Sequence, residues 1–172
     1  MAGVIEVMGP ELLGRLVDEH AAALVLYARQ WCATPEDVVQ EAFLKLVLQR
    51  QLPTHLVPWL YRVVRNGAVS AARAARRRRH HETAAAARAP AWFASADTAR
   101  LDAETATVGL QALPIEQREA IVAHLWGGLT FEQIGELTGS SSSTAHRWYL
   151  AGLSALRERL EAPCPKKSTA KN

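Results

Sequence analysis

Apolar residues recur every three or four positions along most of this chain, and alternation with a period of two is hard to find. The first spacing places apolar side chains on one face of a helix, whereas a half-buried strand needs the two-residue period. Hydrophobic residues make up 49% of the chain and aromatic residues only 6%. We therefore predict an all-α fold, and 172 residues are enough for two small helical domains.

The first two helices carry clear start signals. One is expected to begin at Pro10, and the next at Pro35, with Thr34 as its N-cap and acids in its first turn. The second helix has a predicted buried stripe and, on another face, charged residues mixed with leucine. The stripe comprises Val38, Val39, Ala42, Phe43, Leu46 and Val47. The mixed face comprises Asp37, Glu41, Lys45, Leu44 and Leu48.

A third helix is predicted from Pro58, after a proline-containing loop from Gln49 to Val57. It carries seven arginines and no acid between Arg62 and His81. A solvated basic helix is the simpler interpretation, but such helices usually mix signs and gain ion pairs along the helix. These arginines repel each other and have no acidic neighbours along the helix, which suggests that a polyanion binds them. The predicted outer face contains Trp59, Arg62, Arg65, Asn66, Val69, Arg73 and Arg76.

The second half of the chain contains the signals of a helix-turn-helix. A helix after Pro114, with Ile121 and Leu125 facing inward, is expected to stop at Gly127 and Gly128. Thr130 and Gln133 form a capping box for a short helix, Gly139 ends it, and Ser141 caps a longer one. An ordinary αα-hairpin remains an alternative. The outward residues of the last helix are small or donate hydrogen bonds: Ser143, His146, Arg147, Leu150 and Ser154.

Several function classes lack support in the sequence. Cys32 and Cys164 lie far apart without ligand-spaced companions, so we predict no disulfide framework, metal site or cofactor. The scattered histidines form no H-x-x-x-H or nucleophile pattern, so we do not expect an enzyme. No stretch approaches the roughly 20 apolar residues of a membrane span, and no signal peptide is evident, which predicts a cytoplasmic protein without membrane insertion.

Both halves together resemble the bacterial RNA polymerase sigma factors of the extracytoplasmic-function type. "EDVVQEAFLKLV" with "PWLYRVVRNGAVSAARAARRRR" is similar to the second conserved sigma domain, and "LPIEQREAIVAHLWGGLTFEQIGELTGSSSSTAHRWYLAGLSALRERL" is similar to the fourth. The resemblance implies domain two over 1–81 and domain four over 98–161. The alanine-rich composition of 82–97 predicts a linker, although its alanines could equally extend a helix, and the tail over 162–172 is expected to be disordered. Trp92 and Phe93 are unusual residues for a free linker.

The resemblance also implies roles for these faces. Core RNA polymerase would be the partner, through the clamp of its largest subunit and the flap of its second-largest subunit. Promoter DNA would be contacted at the −10 and −35 elements, and an inhibitory anti-sigma factor is a further partner that relatives bind. The implied polymerase-binding residues are Asp37, Gln40, Glu41, Leu44 and Lys45. The implied −10 and strand-opening residues are Trp59, Tyr61, Arg62, Arg65, Asn66, Arg73 and Arg76. The implied −35 residues are Ser143, Thr144, His146, Arg147 and Arg157.

Two departures from the family pattern matter. Many relatives have a basic residue at the position of Trp148, so upstream contacts are expected to be weaker or to shift to Arg147. The loop from Gln49 to Pro58 lacks acidic and polar residues that often read a flipped base. The main rival is a stand-alone helix-turn-helix regulator whose N-terminal half is a dimerisation or sensing bundle, and a helical adaptor that binds no DNA is a third.

Overall fold

The computed structural model describes residues 8–81 and 108–161, and these residues are helical with no strand among them, as predicted. An N-terminal bundle and a C-terminal bundle are formed by six helices, together with a helical turn at 108–111. The N-terminal helices are α1 (Pro10–Ala28), α2 (Pro35–Val47) and α3 (Leu56–His81). The C-terminal helices are α4 (Ile115–Leu125), α5 (Phe131–Thr138) and α6 (Ser142–Glu161). Within the two described ranges, no helix is long and apolar enough to cross a membrane.

The predicted linker, with Trp92 and Phe93, and the predicted tail lie outside the described residues. The domain boundaries given above therefore stay a prediction. Each bundle is nevertheless formed within one predicted domain, because α1 to α3 precede the linker and α4 to α6 follow it.

The N-terminal bundle is held together by the predicted apolar faces of its helices. Leu24 of α1, Leu46 of α2 and Leu60 of α3 are fully buried. The α2 stripe is buried as predicted except at Val47, the last residue of that helix, which is 42% exposed. Thr34 is the N-cap residue as predicted, but its side chain makes no capping hydrogen bond. Helix start and apolar periodicity were thus sufficient to place this bundle.

Helix α3 begins at Leu56, before the predicted start at Pro58. Proline lacks an amide hydrogen, but the first turn of a helix leaves its amides without an intrahelical partner, so Pro58 is tolerated there. The helical hydrogen bonds start immediately after it, where the Trp59 amide donates to the His55 carbonyl at 3.1 Å. The loop after α2 is therefore shorter than predicted.

The C-terminal bundle contains the predicted helix-turn-helix. The Gln133 amide donates to Thr130 Oγ1 at 3.3 Å, and Gln133 Oε1 accepts from the Thr130 amide at 2.9 Å, which completes the capping box. Gly139 ends α5 with φ +72°, and the Thr144 amide donates to Ser141 Oγ at 3.2 Å. One prediction was wrong: Ile121 is buried as expected, but Leu125, one turn further along the same side and the last residue of α4, is 53% exposed.

The turn between α5 and α6 depends on a glycine. A Cβ atom at Gly135 would lie 2.9 Å from the Ser140 carbonyl oxygen and 3.0 Å from the Ser141 carbonyl carbon. Both are backbone atoms that cannot move without disturbing the turn. At Gly14, on α1, a Cβ atom would meet nothing within 4 Å.

We expect Gly135→Ala to lower the free energy of unfolding by about 1–3 kcal/mol, the usual cost of overpacking. Gly14→Ala is the matched control and should be neutral or stabilise by up to about 1 kcal/mol, because alanine favours helix. Urea unfolding followed by circular dichroism measures both. Equal stability of the two variants would contradict the assigned close approach.

Candidate functional site

Five residues on the exposed side of α2 line a groove between α2 and α3, with a volume of about 840 Å³. We call them the α2 face: Asp37, Gln40, Glu41, Leu44 and Lys45. Leu44 is 56% exposed although it is apolar. Lys45 Nζ lies 3.4 Å from Glu41 Oε2, an exposed pair one helical turn apart. An apolar side chain surrounded by charges on an open groove is typical of a protein-binding surface.

The outer side of α3 is basic, but its residues differ in accessibility. We call the predicted −10 set the α3 face: Trp59, Tyr61, Arg62, Arg65, Asn66, Arg73 and Arg76. Arg62, Asn66, Arg73 and Arg76 are exposed, whereas Trp59 and Arg65 are half-buried. Tyr61 is fully buried. The structure thus brings the arginines together on one side and places Tyr61 away from solvent.

Tyr61 and Arg65 are shielded from solvent because the two bundles contact each other. Glu119 of α4 is a buried acid, with only 3% of its side chain exposed. Its Oε1 accepts hydrogen bonds from the Tyr27 hydroxyl at 2.5 Å and from Arg65 Nε at 2.6 Å, and Arg65 Nη2 lies 3.4 Å from Oε2. We call Tyr27, Arg65 and Glu119 the Glu119 contact. It joins α1 and α3 of one bundle to α4 of the other.

The Glu119 contact changes the proton affinity of its partners. Burial raises the pKa of Tyr27 well above its ordinary value, and the negative charge of Glu119 adds to the rise. Burial of Arg65 favours its neutral form, but the hydrogen bond and the charge of Glu119 outweigh burial and raise the pKa of Arg65. Tyr27 is therefore a neutral donor at physiological pH, and Arg65 supplies the positive charge that a buried carboxylate needs.

Aromatic rings surround the Glu119 contact. The ring centroid of Tyr27 lies 5.0 Å from that of Trp31 and 4.8 Å from that of Tyr61. The Arg65 guanidinium lies 5.9 Å from the centre of the Trp31 ring. A Cβ atom at Gly127, after α4, would lie 2.6 Å from the Tyr61 ring and hydroxyl, so the backbone of the C-terminal bundle covers that ring directly. Apolar packing and a charged pair therefore act together at this contact.

The predicted −35 residues form the third surface. Ser143, His146, Arg147 and Arg157 are exposed on α6, and Thr144 is half-buried. The Thr144 hydroxyl lies 2.9 Å from Ser141 Oγ, and the centroids of the His146 and Phe131 rings lie 4.7 Å apart in a T-shaped arrangement. Trp148 is half-buried on the inner side of α6, as predicted. The first turns of α6 therefore present hydrogen-bonding side chains in fixed positions.

Sequence reasoning missed Glu119 and Tyr27. Glu119 precedes the apolar run Ala120 to Ala123, in which every residue is buried. Four consecutive buried residues cover every side of a helix, which indicates that α4 is covered on more than one side. An acid directly before such a run was the available signal. Tyr27 gave no such signal in the sequence, because it continues the apolar pattern of α1.

Comparison with known proteins identifies the family. Residues 16–78 match the family model of Sigma-70 region 2, and residues 108–156 match that of Sigma-70, region 4. The RNA polymerase sigma factor CarQ of Myxococcus xanthus is 34% identical over 131 residues, which cover 74% of this chain and 75% of CarQ. The chain belongs to the sigma factor family. It is a sigma factor of the extracytoplasmic-function type, with a DNA-binding helix-turn-helix in region 4.

Solved structures of similar proteins have the same fold. The sigma factor RpoE in complex with the anti-sigma factor NepR, from Bartonella quintana, matches with a TM-score of 0.66 and 22% identity over 91% of this chain and 100% of that chain. CnrH in complex with the cytosolic domain of CnrY matches with a TM-score of 0.58 and 21% identity over 91% of this chain and 92% of CnrH. Sigma factors direct transcription and are regulators rather than enzymes.

Proposed function

We propose that this sigma factor binds core RNA polymerase through the α2 face and places its two bundles on the −10 and −35 promoter elements. The observation that carries the proposal is the groove beside α2, because all five residues of the α2 face line it. A binding surface with an apolar centre and a charged rim fits a partner of the same composition. We assign this surface to the clamp of the largest polymerase subunit. The flap of the second-largest subunit is the proposed partner of the C-terminal bundle.

The α3 face is proposed to contact the −10 element and to assist strand opening. Opening a duplex requires capture of unpaired bases, which aromatic rings achieve by stacking and arginines by contact with phosphate. Trp59 stands at the start of this face, followed along α3 by Arg62, Asn66 and Arg73, all three exposed. Arg76 continues the row. Tyr61 and Arg65 can join it only when the C-terminal bundle moves away.

The start of α6 is proposed to enter the major groove of the −35 element. Ser143, His146 and Arg147 are exposed there and offer hydroxyl, imidazole and guanidinium groups to base edges. Thr144 is held by Ser141 and is suited to a phosphate or a neighbouring base. Arg157, three turns further along, is placed to anchor a phosphate.

An anti-sigma factor is a further proposed partner. The two similar solved structures are complexes of RpoE with the anti-sigma factor NepR and of CnrH with the cytosolic domain of CnrY. Regulation of this sigma factor by a protein of that kind, in the cytoplasm where polymerase is found, is consistent with its family. Polymerase, promoter DNA and an anti-sigma factor make up the proposed set of partners.

The test is a comparison of promoter binding with and without polymerase. Duplex fragments from the genome of the source bacterium are selected with the sigma factor alone, with core polymerase alone, and with both. We expect specific fragments only with both, and Arg147→Ala should weaken their retention about 5- to 100-fold, the usual value of one base contact. Specific retention of twofold-symmetric fragments by the chain alone would contradict the proposal and favour a stand-alone regulator.

A further inference from the structure

One large apolar side chain stands on the exposed side of α6. Among the α6 side chains that the structure describes, Leu150 is the only large apolar one in that position, and 51% of it is accessible. Ser143, Arg147 and Ser154 lie seven, three and four residues away, spacings that place all three on the same side of the helix as Leu150. Single exposed leucines are common, so the surroundings of this one decide what it can do.

Two exposed leucines of this chain have different neighbours. Leu44 is 56% exposed and belongs to the α2 face, whose other members include two acids and a lysine. Leu150 follows His146 and Arg147, and no acid occurs on α6 before Glu158. Carboxylates repel DNA phosphates, whereas positive charge and hydrogen-bond donors attract them. The neighbours of Leu44 therefore suit a protein partner, and those of Leu150 suit DNA.

The backbone beneath Leu150 is held in place by the rest of the bundle. Gly152 lies on the opposite side of α6, and a Cβ atom there would lie 2.6 Å from Ile121 Cδ1 of α4. Ala145, on the same inner side, is fully buried. Packing this close leaves α6 little freedom to rotate or shift, so Leu150 is presented in a fixed direction.

The apolar group that a leucine can contact in a major groove is the C5 methyl of thymine, which cytosine lacks. Leu150 stands three residues after Arg147, about 4.5 Å along the helix axis, and successive base pairs are about 3.4 Å apart. Because helical side chains lean towards the N-terminus, the Leu150 methyl groups extend back towards Arg147. The two side chains can therefore reach base pairs within about two steps of each other.

We infer that Leu150 is a specificity-determining residue of the −35 contact and that its methyl groups pack against the C5 methyl of a thymine. The inference rests on the proposed entry of α6 into the major groove. It adds to that function a preference made by an apolar contact, beside the hydrogen bonds of Ser143, His146 and Arg147. The −35 element of this sigma factor then contains a thymine within about two base pairs of the base that Arg147 specifies.

Replacement of single thymines by uracil tests this contact, because uracil pairs in the same way and lacks only the methyl group. A duplex fragment that the full-length sigma factor and core polymerase retain together is prepared with each −35 thymine exchanged in turn, and fluorescence anisotropy gives the dissociation constants. We expect one exchange to weaken binding by about 4-fold, the value of one buried methyl group. Leu150→Ala should abolish this preference because alanine is too short to reach the base, whereas Leu150→Met should retain it.

The matched control is Leu125→Ala, which shortens an exposed leucine of the same bundle, 53% accessible at the end of α4. It should keep the full preference for thymine. A preference for thymine that persists in Leu150→Ala would overturn the inference, because another residue would then contact the methyl group. Equal weakening of the thymine and uracil fragments by Leu150→Ala would also overturn it, and would assign Leu150 to a contact with polymerase.

Arg147→Ala separates the inference from the proposed function on which it rests. Equal binding of the thymine and uracil fragments, with weaker binding by Arg147→Ala, would overturn the role of Leu150 and leave the −35 role of α6 standing. Unchanged binding in both Arg147→Ala and Leu150→Ala would overturn the −35 role of α6 together with the inference.

Discussion

Leu44→Arg is expected to lower the affinity of the sigma factor for core RNA polymerase by about 30-fold or more. A central apolar residue of a protein interface commonly accounts for about 2 kcal/mol or more of binding free energy, and 1.4 kcal/mol corresponds to a factor of ten. Arginine at this position would also place a charge without a partner in a desolvated interface. The affinity is measured by titrating labelled sigma factor with core polymerase and following fluorescence anisotropy.

The control for this prediction is Val17→Arg. Val17 is an exposed apolar residue of α1, 36% accessible, and it does not line the groove between α2 and α3. The substitution should leave the polymerase affinity within about twofold of the original, since surface changes away from an interface cost little. Replacement of both Asp37 and Glu41 by arginine should reproduce the loss caused by Leu44→Arg. Equal affinities for Leu44→Arg and Val17→Arg would show that the α2 face is not the polymerase-binding surface.

The second large effect is expected from removing two arginines of the α3 face. Arg62→Ala combined with Arg65→Ala should slow promoter opening by polymerase by about 100-fold or more, because each charged hydrogen bond to DNA contributes at least about 1.5 kcal/mol. The salt dependence of promoter binding should also weaken by about one phosphate contact per arginine. A fluorescent base analogue in the −10 element reports strand opening, and anisotropy confirms that polymerase affinity is unchanged.

The matched control is Arg15→Ala, which removes an exposed arginine of α1 in the same bundle. It should open promoters at the normal rate. If the double variant loses polymerase binding instead, then the α3 face has been given the wrong partner. If it opens promoters as fast as Arg15→Ala does, then the α3 face has no part in strand opening.

Local signals in the sequence predicted most of each bundle. The capping box at Thr130 and Gln133, the glycine at Gly139 and the N-cap at Ser141 all act within a few residues, and each is found where the sequence placed it. The buried stripe of α2 was predicted for the same reason, because helical periodicity relates neighbouring turns. The predictions that Val47 and Leu125 are buried were wrong. Periodicity gives the direction of a side chain but does not show how far the neighbouring helices extend over it.

The contact between the bundles could not be predicted in this way. Helical periodicity placed Arg65 on the outer side of α3, and with respect to its own bundle that is correct. The side chain is half-buried because α4, 54 residues further along the chain, supplies Glu119. Such a pairing depends on chain segments that are distant in sequence, and it leaves no regular spacing in either segment. Tyr61 was assigned to the DNA surface through the family resemblance, and its burial beneath Gly127 could not be predicted for the same reason.

The family is known from the comparisons, and the distribution of tasks among the three surfaces is the proposal that most needs a direct test. Reconstituted transcription provides it: purified sigma factor, bacterial core polymerase and a library of promoter fragments are mixed, and transcripts that require the added protein are sequenced. The account predicts transcripts only when both proteins are present, with start sites that share −10 and −35 elements, and their loss with Leu44→Arg. Specific duplex binding by the chain alone, without any polymerase-dependent transcript, would contradict it.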